Sequence, residues 1–267
     1  TIKDTVFEVT DGVAIRTGSK LAKESSGTIN ITGAGTGIVF ANRDSTDRTK
    51  FTTTDKDLHV GGIDINIKDS AQEGATALYI DTKGKFSSDA NIALKSTKDV
   101  TAWKIVNAGS NLENGGNLSS VSKDAIIDLS SWIDNASEDG TKHNFTNTGT
   151  ITSPEDGVAI RYNGSAEKTI NLTNQKAANA QDDKGQGVIA GLIDFGKATV
   201  NLINANGGVI KSLVTTADQA DNITITGKGS DLKGGMNLGA GDNTILIEYG
   251  AVQTGHITTS EGKDTLT

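Results

Sequence analysis

Arg43, Asp44, Asp47 and Arg48 stand close together in one polar stretch, ANRDSTDRTKFTTTDKDLH (41–59). Paired carboxylates beside guanidinium groups can do general acid–base work on a polysaccharide, one carboxyl protonating the leaving oxygen while the other assists attack. The same four side chains also suit a solvated loop that offers both signs of charge to a partner. Other material for chemistry is sparse. The histidines are His59, His143 and His256, and none lies in an H-E-x-x-H pattern. No G-x-S-x-G nucleophile elbow is present, and there is no cysteine. The absence of cysteine excludes disulfides, zinc–thiolate sites and thiol catalysis. No catalytic, cofactor-binding or metal-ligating residue is assigned, and the expected class is non-enzymatic.

A second set of residues bears on the metal question. LGAGDNTIL (238–246) and SEGKDTL (260–266) look like pieces of a calcium-binding glycine/aspartate repeat. Such rolls repeat about every nine residues. Here Asp221, Asp242 and Asp264 each begin a strand-like unit, at separations of 21 and 22 residues. That period is one full turn of a three-sided parallel β-helix, in which short strands joined by tight turns make a rung stacked ~4.8 Å from the next. The three aspartates are expected above one another at one corner. There they accept hydrogen bonds from turn N–H groups as Asx turns, with Asn222 and Asn243 forming a stacked amide ladder beside them.

Composition supports this architecture. Apolar residues make up 34% and aromatics 4% of 267 residues, too few for a thick core, while Gly numbers 32 and Pro 1. Thr, Ile and Val suit a pleated surface, and Gly, Asn and Asp suit tight turns. Period-2 alternation marks GTINIT (27–32), GIDINIK (62–68), ANIALK (90–95), KTINLT (168–173), ATVNLIN (198–204), DNITIT (221–226) and DNTILIE (242–248). Short Gly- or Ala-led strands alternate with them, among them GIVFAN, ALYIDT and AWKIVN. DGVAIR occurs twice, at 11–16 and 156–161, each time followed by one of the alternating units. The expected fold is all-β: a right-handed parallel β-helix, a three-sided solenoid of roughly 10–12 coils. It is expected to form a single domain over residues 1–267, with loop insertions at 41–59, 110–124 and 175–187. AIIDLSSWIDNASED (125–139) reads as an insertion, strand or helical turn. Trp103 is expected half-buried on a strand, and Trp132, in the insertion, exposed as a contact.

The net charge of −8 and the lack of a basic stripe argue against nucleic acid or anionic lipid as a partner. No run of 18 apolar residues spans a bilayer. The chain begins without a basic segment followed by an apolar one, and ends inside a rung motif. The expectation is a portion of a longer exported protein.

FTNTGTITSPEDGVAIRYNGSAEKTINLTN (145–174) resembles the passenger of Gram-negative type V autotransporters. It carries their degenerate coil pattern in Asn147, Gly149, Thr150 and Ile151, then Gly157, Val158 and Ile160, then Ile170, Asn171 and Leu172. GTINITGAGTGIVF (27–40) and residues 238–267 are similar. The resemblance runs over most of the chain and is one of pattern. It implies a β-helix at the cell surface or released from it, with a C-terminal outer-membrane barrel outside this segment. The implied work is adhesion, aggregation or host-receptor binding, with a host surface protein, a glycan or a second copy as partner. Arg43, Asp44, Asp47, Arg48 and Trp132 are the expected contact residues. The alternative is a polysaccharide lyase or hydrolase on the same scaffold.

Overall fold

The computed structural model describes residues 1–47, 50–134, 143–164, 168–178, 180 and 186–267. They form three long parallel sheets of 10, 10 and 9 strands. The chain visits the sheets in rotation, so each strand pairs with its counterpart one coil earlier and one coil later. The result is a three-sided β-helix of ten coils. Face one opens with Thr5–Val9, face two with Val13–Thr17 and face three with Leu58–Val60. At ~4.8 Å per coil the rod is ~45 Å long.

The alternation in the sequence becomes three inward rows. Face one stacks Ile29, Ile65, Ile92, Leu118, Ile151, Ile189, Ile210 and Leu232. Face three stacks Leu58, Phe86, Leu112, Phe145, Leu172, Leu202, Ile223 and Ile245. Nearly all are fully buried. On face one each aliphatic side chain meets another above and below, and on face three leucines alternate with Phe86 and Phe145 before the row becomes wholly aliphatic, which is how a chain with so few aromatics closes a core. The early coils are filled by an edge-to-face run, Phe40–Phe86 at 5.4 Å, Phe86–Trp103 at 5.5 Å and Trp103–Phe145 at 6.1 Å. Trp103 is fully buried, not half-buried as its position on a strand suggested.

One corner inside the rod is polar. Asn114, Asn147, Asn174 and Asn204 are wholly buried. Each of the first three donates Nδ2–H to the next Oδ1 at 2.8 Å. The other amide hydrogen goes to the carbonyl of Gly116, Gly149 or Gly187, and Asn204 donates to Gly208 and Asp231 carbonyls. The glycines are required by close approach. A Cβ on Gly116 would lie 1.9 Å from the Ala90 carbonyl oxygen, and one on Gly149 2.0 Å from that of Gly116. The N-x-G signature in the sequence is thus a buried amide and the carbonyl that receives it.

Coil length explains the irregular spacing. Ile29 and Ile65 are register partners 36 residues apart because an antiparallel hairpin, Asn42–Arg43 with Phe51–Thr52, is inserted between them. Ile210 and Leu232 are partners 22 apart, with nothing inserted. The 110–124 loop does not exist as such: Asn111–Asn114 and Asn117–Ser120 are strands of faces three and one. In the 125–139 insertion, Ile127–Asp128 is a face-two strand and Ser130–Asp134 a short helix. Both DGVAIR copies lie on face two, but the units after them differ. GTINIT is on face one and KTINLT on face three, because the first coil has no face-three strand.

Candidate functional site

Strand alternation that buries one row exposes another. On face three the outward row is Asn111, Asn144, Asn171, Asn201 and Asn222, in register over five coils. Each donates Nδ2–H to the Oδ1 of the preceding one, at 3.0, 2.8, 2.7 and 3.0 Å. Each internal amide has two N–H groups and two acceptor lone pairs. Ladder formation uses one of each and leaves the rest to solvent or a partner. Beside this row runs a second one, His59, Ser87, Glu113, Thr146 and Thr173. The face is therefore a flat polar grid.

At its early end the grid dips into a shallow cleft of about 200 Å³ lined by Lys20, Asp57, His59, Lys85, Ser87, Asn111 and Glu113. His59 Nδ1 lies 2.8 Å from Ser87 Oγ, one coil on. Its Nε2 is buried and lies 3.7 Å from an Asp89 carboxylate oxygen, beyond hydrogen-bond reach but within ion-pair range. Burial lowers the His59 pKa; Asp89 and Glu113 raise it, Lys23 and Lys20 lower it, and the net direction is down. The ring is neutral at pH 7.

Face two carries charge instead of amides. Its outward row reads Arg16, Val39, Tyr79, Lys104, Asp128, Arg161 and Asp194. Arg161 donates from Nη2 at 2.7 Å and Nε at 3.1 Å to one Asp128 oxygen. Burial pushes the Asp128 pKa up, but hydrogen bonds from Ser130 and from Arg161 outweigh it and hold the carboxyl below its usual range.

The hairpin insertion lies at the early end of this row. Phe51 packs against Tyr79 at 5.6 Å and under Arg16 at 5.0 Å. Val39, between those two in the row, is 1% exposed. The expected contact residues divide here. Asp44 Oδ1 accepts from Asp47 N–H, from the Thr46 hydroxyl and from Thr46 N–H, and these bonds lower its pKa. Asp47 pairs with Lys50 at 3.3 Å. Arg43 is on the first hairpin strand and exposed. Arg48 lies outside the described residues, as do residues 179 and 181–185 of the third expected loop and residues 135–139 of the 125–139 insertion. Trp132 is not an exposed contact. It is 1% exposed, donates Nε1–H to the Ala108 and Gly109 carbonyls at 2.7 and 3.0 Å, and stacks edge-on against His143. The helix turns it inward.

The aspartate corner is built on a different register from the one expected. Asn222 pairs with Thr244 and Thr244 with Thr265, so the stacked residues are Asp221, Asn243 and Asp264, and Asp242 is one place out of line. Each accepts from the coil before: Val200 N–H to Asp221 at 2.7 Å, Asp221 N–H to Asn243 at 3.0 Å, Asn243 N–H to Asp264 at 3.1 Å. The side chains replace a missing main-chain bond at the corner. Asp221 is fully buried, and burial pushes its pKa up to about 6, partly offset by Thr216 and the Val200 N–H. Thr216 acts without reaching hydrogen-bond geometry: its hydroxyl and Asp221 Oδ2 are both buried without a partner. Among the described residues no three His, Asp or Glu side chains gather as a metal ion would need.

Comparison of the chain with protein-family models, with curated proteins and with solved structures returns no match. Function is therefore argued from the surface itself. Of its features, the face-three grid and its cleft were the least visible in the sequence. Their members are 21 to 33 residues apart and meet only through the coil register.

Proposed function

We propose that this chain is a surface-displayed β-helical passenger of the type V autotransporter kind that binds a partner through the outer surface of face three. The partner is a host surface protein, a glycan or a second copy of the chain. The observation that carries the reading is the run of five outward asparagines over five coils. Amides at ~4.8 Å spacing, each with an unused donor and acceptor, match any extended ligand rich in hydroxyl or amide groups. Many weak hydrogen bonds along a flat polar surface suit avidity better than a single tight pocket. The hairpin strands Asn42–Arg43 and Phe51–Thr52, with Arg43 and Asp44, add charged contacts at the early end of the neighbouring face two.

The test is the triple substitution Asn144→Lys, Asn171→Lys and Asn201→Lys. Three stacked ammonium groups break the ladder and repel one another on the outside of the rod. Binding to host cells and self-association by sedimentation are both measured against the parent chain. Loss of one or both with an unchanged circular-dichroism spectrum supports the reading; retention of the parent's binding and association overturns the placement on face three. Replacing the hairpin by a two-residue turn separates its contribution from that of the ladder.

A further inference from the structure

The cleft at the early end of face three holds more than a binding surface needs. Ser87 and His59 come from adjacent coils, 28 residues apart, and are register partners with side chains on the same outward face. We propose that Ser87 and His59 form a nucleophile–base pair that cleaves short-acyl esters. This goes beyond the binding reading and requires nothing of it.

Three observations carry the proposal. First, Ser87 Oγ lies 2.8 Å from His59 Nδ1, the distance at which an imidazole can take a hydroxyl proton when Nδ1 is the acceptor. Second, the ring orientation selects the useful tautomer. The buried Nε2 lies 3.7 Å from the Asp89 carboxylate, too far for a hydrogen bond, but that negative charge favours an N–H over a lone pair at Nε2 and so leaves Nδ1 to accept from Ser87. Asp89 is a positioning residue here, at 3.7 Å, and it stabilises the imidazolium once formed. The roles match those of a serine triad with the two ring nitrogens exchanged. Third, Lys20 and Lys85 line the same cleft, each able to place an ammonium group beside a developing oxyanion, although the carboxylates of Asp57 and Glu113 in the same lining leave it with no net charge. The lowered pKa of His59 keeps the base unprotonated at neutral pH.

The step balances within the site. Ser87 Oγ attacks the ester carbonyl carbon while its proton passes to His59 Nδ1. The tetrahedral adduct collapses, the C–O bond to the alcohol breaks, and that alcohol leaves with the proton from Nδ1. Water, deprotonated by the same nitrogen, then hydrolyses the acyl–Ser87 ester, releasing the acid and restoring the hydroxyl. The size of the cleft, about 200 Å³, limits the acyl group to a short one such as acetyl.

The test uses the whole chain with a fluorophosphonate probe and with p-nitrophenyl acetate. The expected result is stoichiometric labelling that peptide mapping places on Ser87. Labelling is lost in Ser87→Ala and slowed at least ~100-fold in His59→Gln. Hydrolysis rises with pH through an inflection below the ordinary histidine value. Asp89→Asn lowers the rate about tenfold and moves that inflection further down, which a merely structural carboxylate would not do. Circular dichroism confirms that each variant is folded. Labelling of Ser87 no greater than that of other exposed serines, or a His59→Gln rate equal to the parent's, overturns the proposal. In that case the Ser87–His59 contact is a surface hydrogen bond between coils.

Discussion

Two asparagine ladders run through the same coils, three residues apart on each strand: Asn111 with Asn114, Asn144 with Asn147, Asn171 with Asn174, and Asn201 with Asn204. The residue type, the coil spacing and the inter-amide distances of 2.7–3.0 Å are the same. One ladder is wholly buried and the other faces water. The buried amides spend both N–H groups inside the protein and have no alternative partner. The outer ones exchange with water at little cost. One side chain is therefore structural in the first ladder and available for recognition in the second; the inner amides donate forward along the coils and also to main-chain carbonyls, the outer ones donate backward and keep an N–H for solvent.

The largest effect is expected from breaking the inner ladder. Asn147→Ala removes the acceptor of Asn114, the donor to Asn174 and the donor to the Gly149 carbonyl together. Leaving buried groups unsatisfied costs about 1–3 kcal/mol each. A loss of about 3–5 kcal/mol is expected, read as a lowered urea midpoint. A change below ~1 kcal/mol would mean that the buried ladder adds little and that the contrast between the ladders is false.

The corner of Asp221, Asn243 and Asp264 sharpens the comparison, since one position holds a carboxylate where its neighbour holds an amide. The folded-state pKa of Asp221 is raised from 3.8 to about 6. A raised value means that its contribution is fully present below pH 3.8 and is lost as pH rises through about 6. Asp221→Asn keeps an oxygen for the Val200 N–H, as Asn243 does for Asp221, and carries no charge to bury. The variant is expected to gain on the parent by up to ~3 kcal/mol between pH 4 and pH 7. Unfolding curves at both pH values check it, and parallel pH dependences for the two chains would rule it out.

How much of this was legible follows the same division. The coil period was readable at 221–264 because no insertion interrupts it, and the Ile and Leu alternation marked nearly every face-one and face-three strand. Register was harder. Asp242 heads its strand-like unit as Asp221 does, yet the stacked residue is Asn243, since one residue of corner turn cannot be counted from sequence. Trp132 looked exposed because a polar, insertion-like segment surrounds it, while its two carbonyl partners at 108 and 109 belong to the previous coil. His59 and Ser87 carried no signal at all. Their pairing depends on a 28-residue coil, a length that no period elsewhere in the chain announces. The N-x-G motif was visible as a pattern, but its buried hydrogen bonds were not.

On face two, Arg161 and Asp128 offer an outer ladder made of charge. Both are partly exposed, so the pair is expected to contribute about 0.5–1 kcal/mol and to weaken in salt. The Asp128 pKa is depressed, so that contribution is present above pH 3.8 and is lost below it as the carboxylate protonates. Arg161→Ala measured at low and high ionic strength tests this. An effect unchanged by salt would point to lost packing of the arginine stem instead.

The smallest effect on stability is expected from Asn171→Ala, three residues from Asn174 and in the middle of the outer ladder. It deletes the bonds to Asn144 and from Asn201, but both freed groups meet water. A change of about 0.5 kcal/mol or less follows. The value of the experiment lies in setting it beside Asn174→Ala, the same substitution on the inner side of the same strand. A large loss at 174 with almost none at 171 means that the outer amides are retained for something other than folding. If both cost several kcal/mol, the outer ladder is a structural brace and the proposed binding face loses its main support.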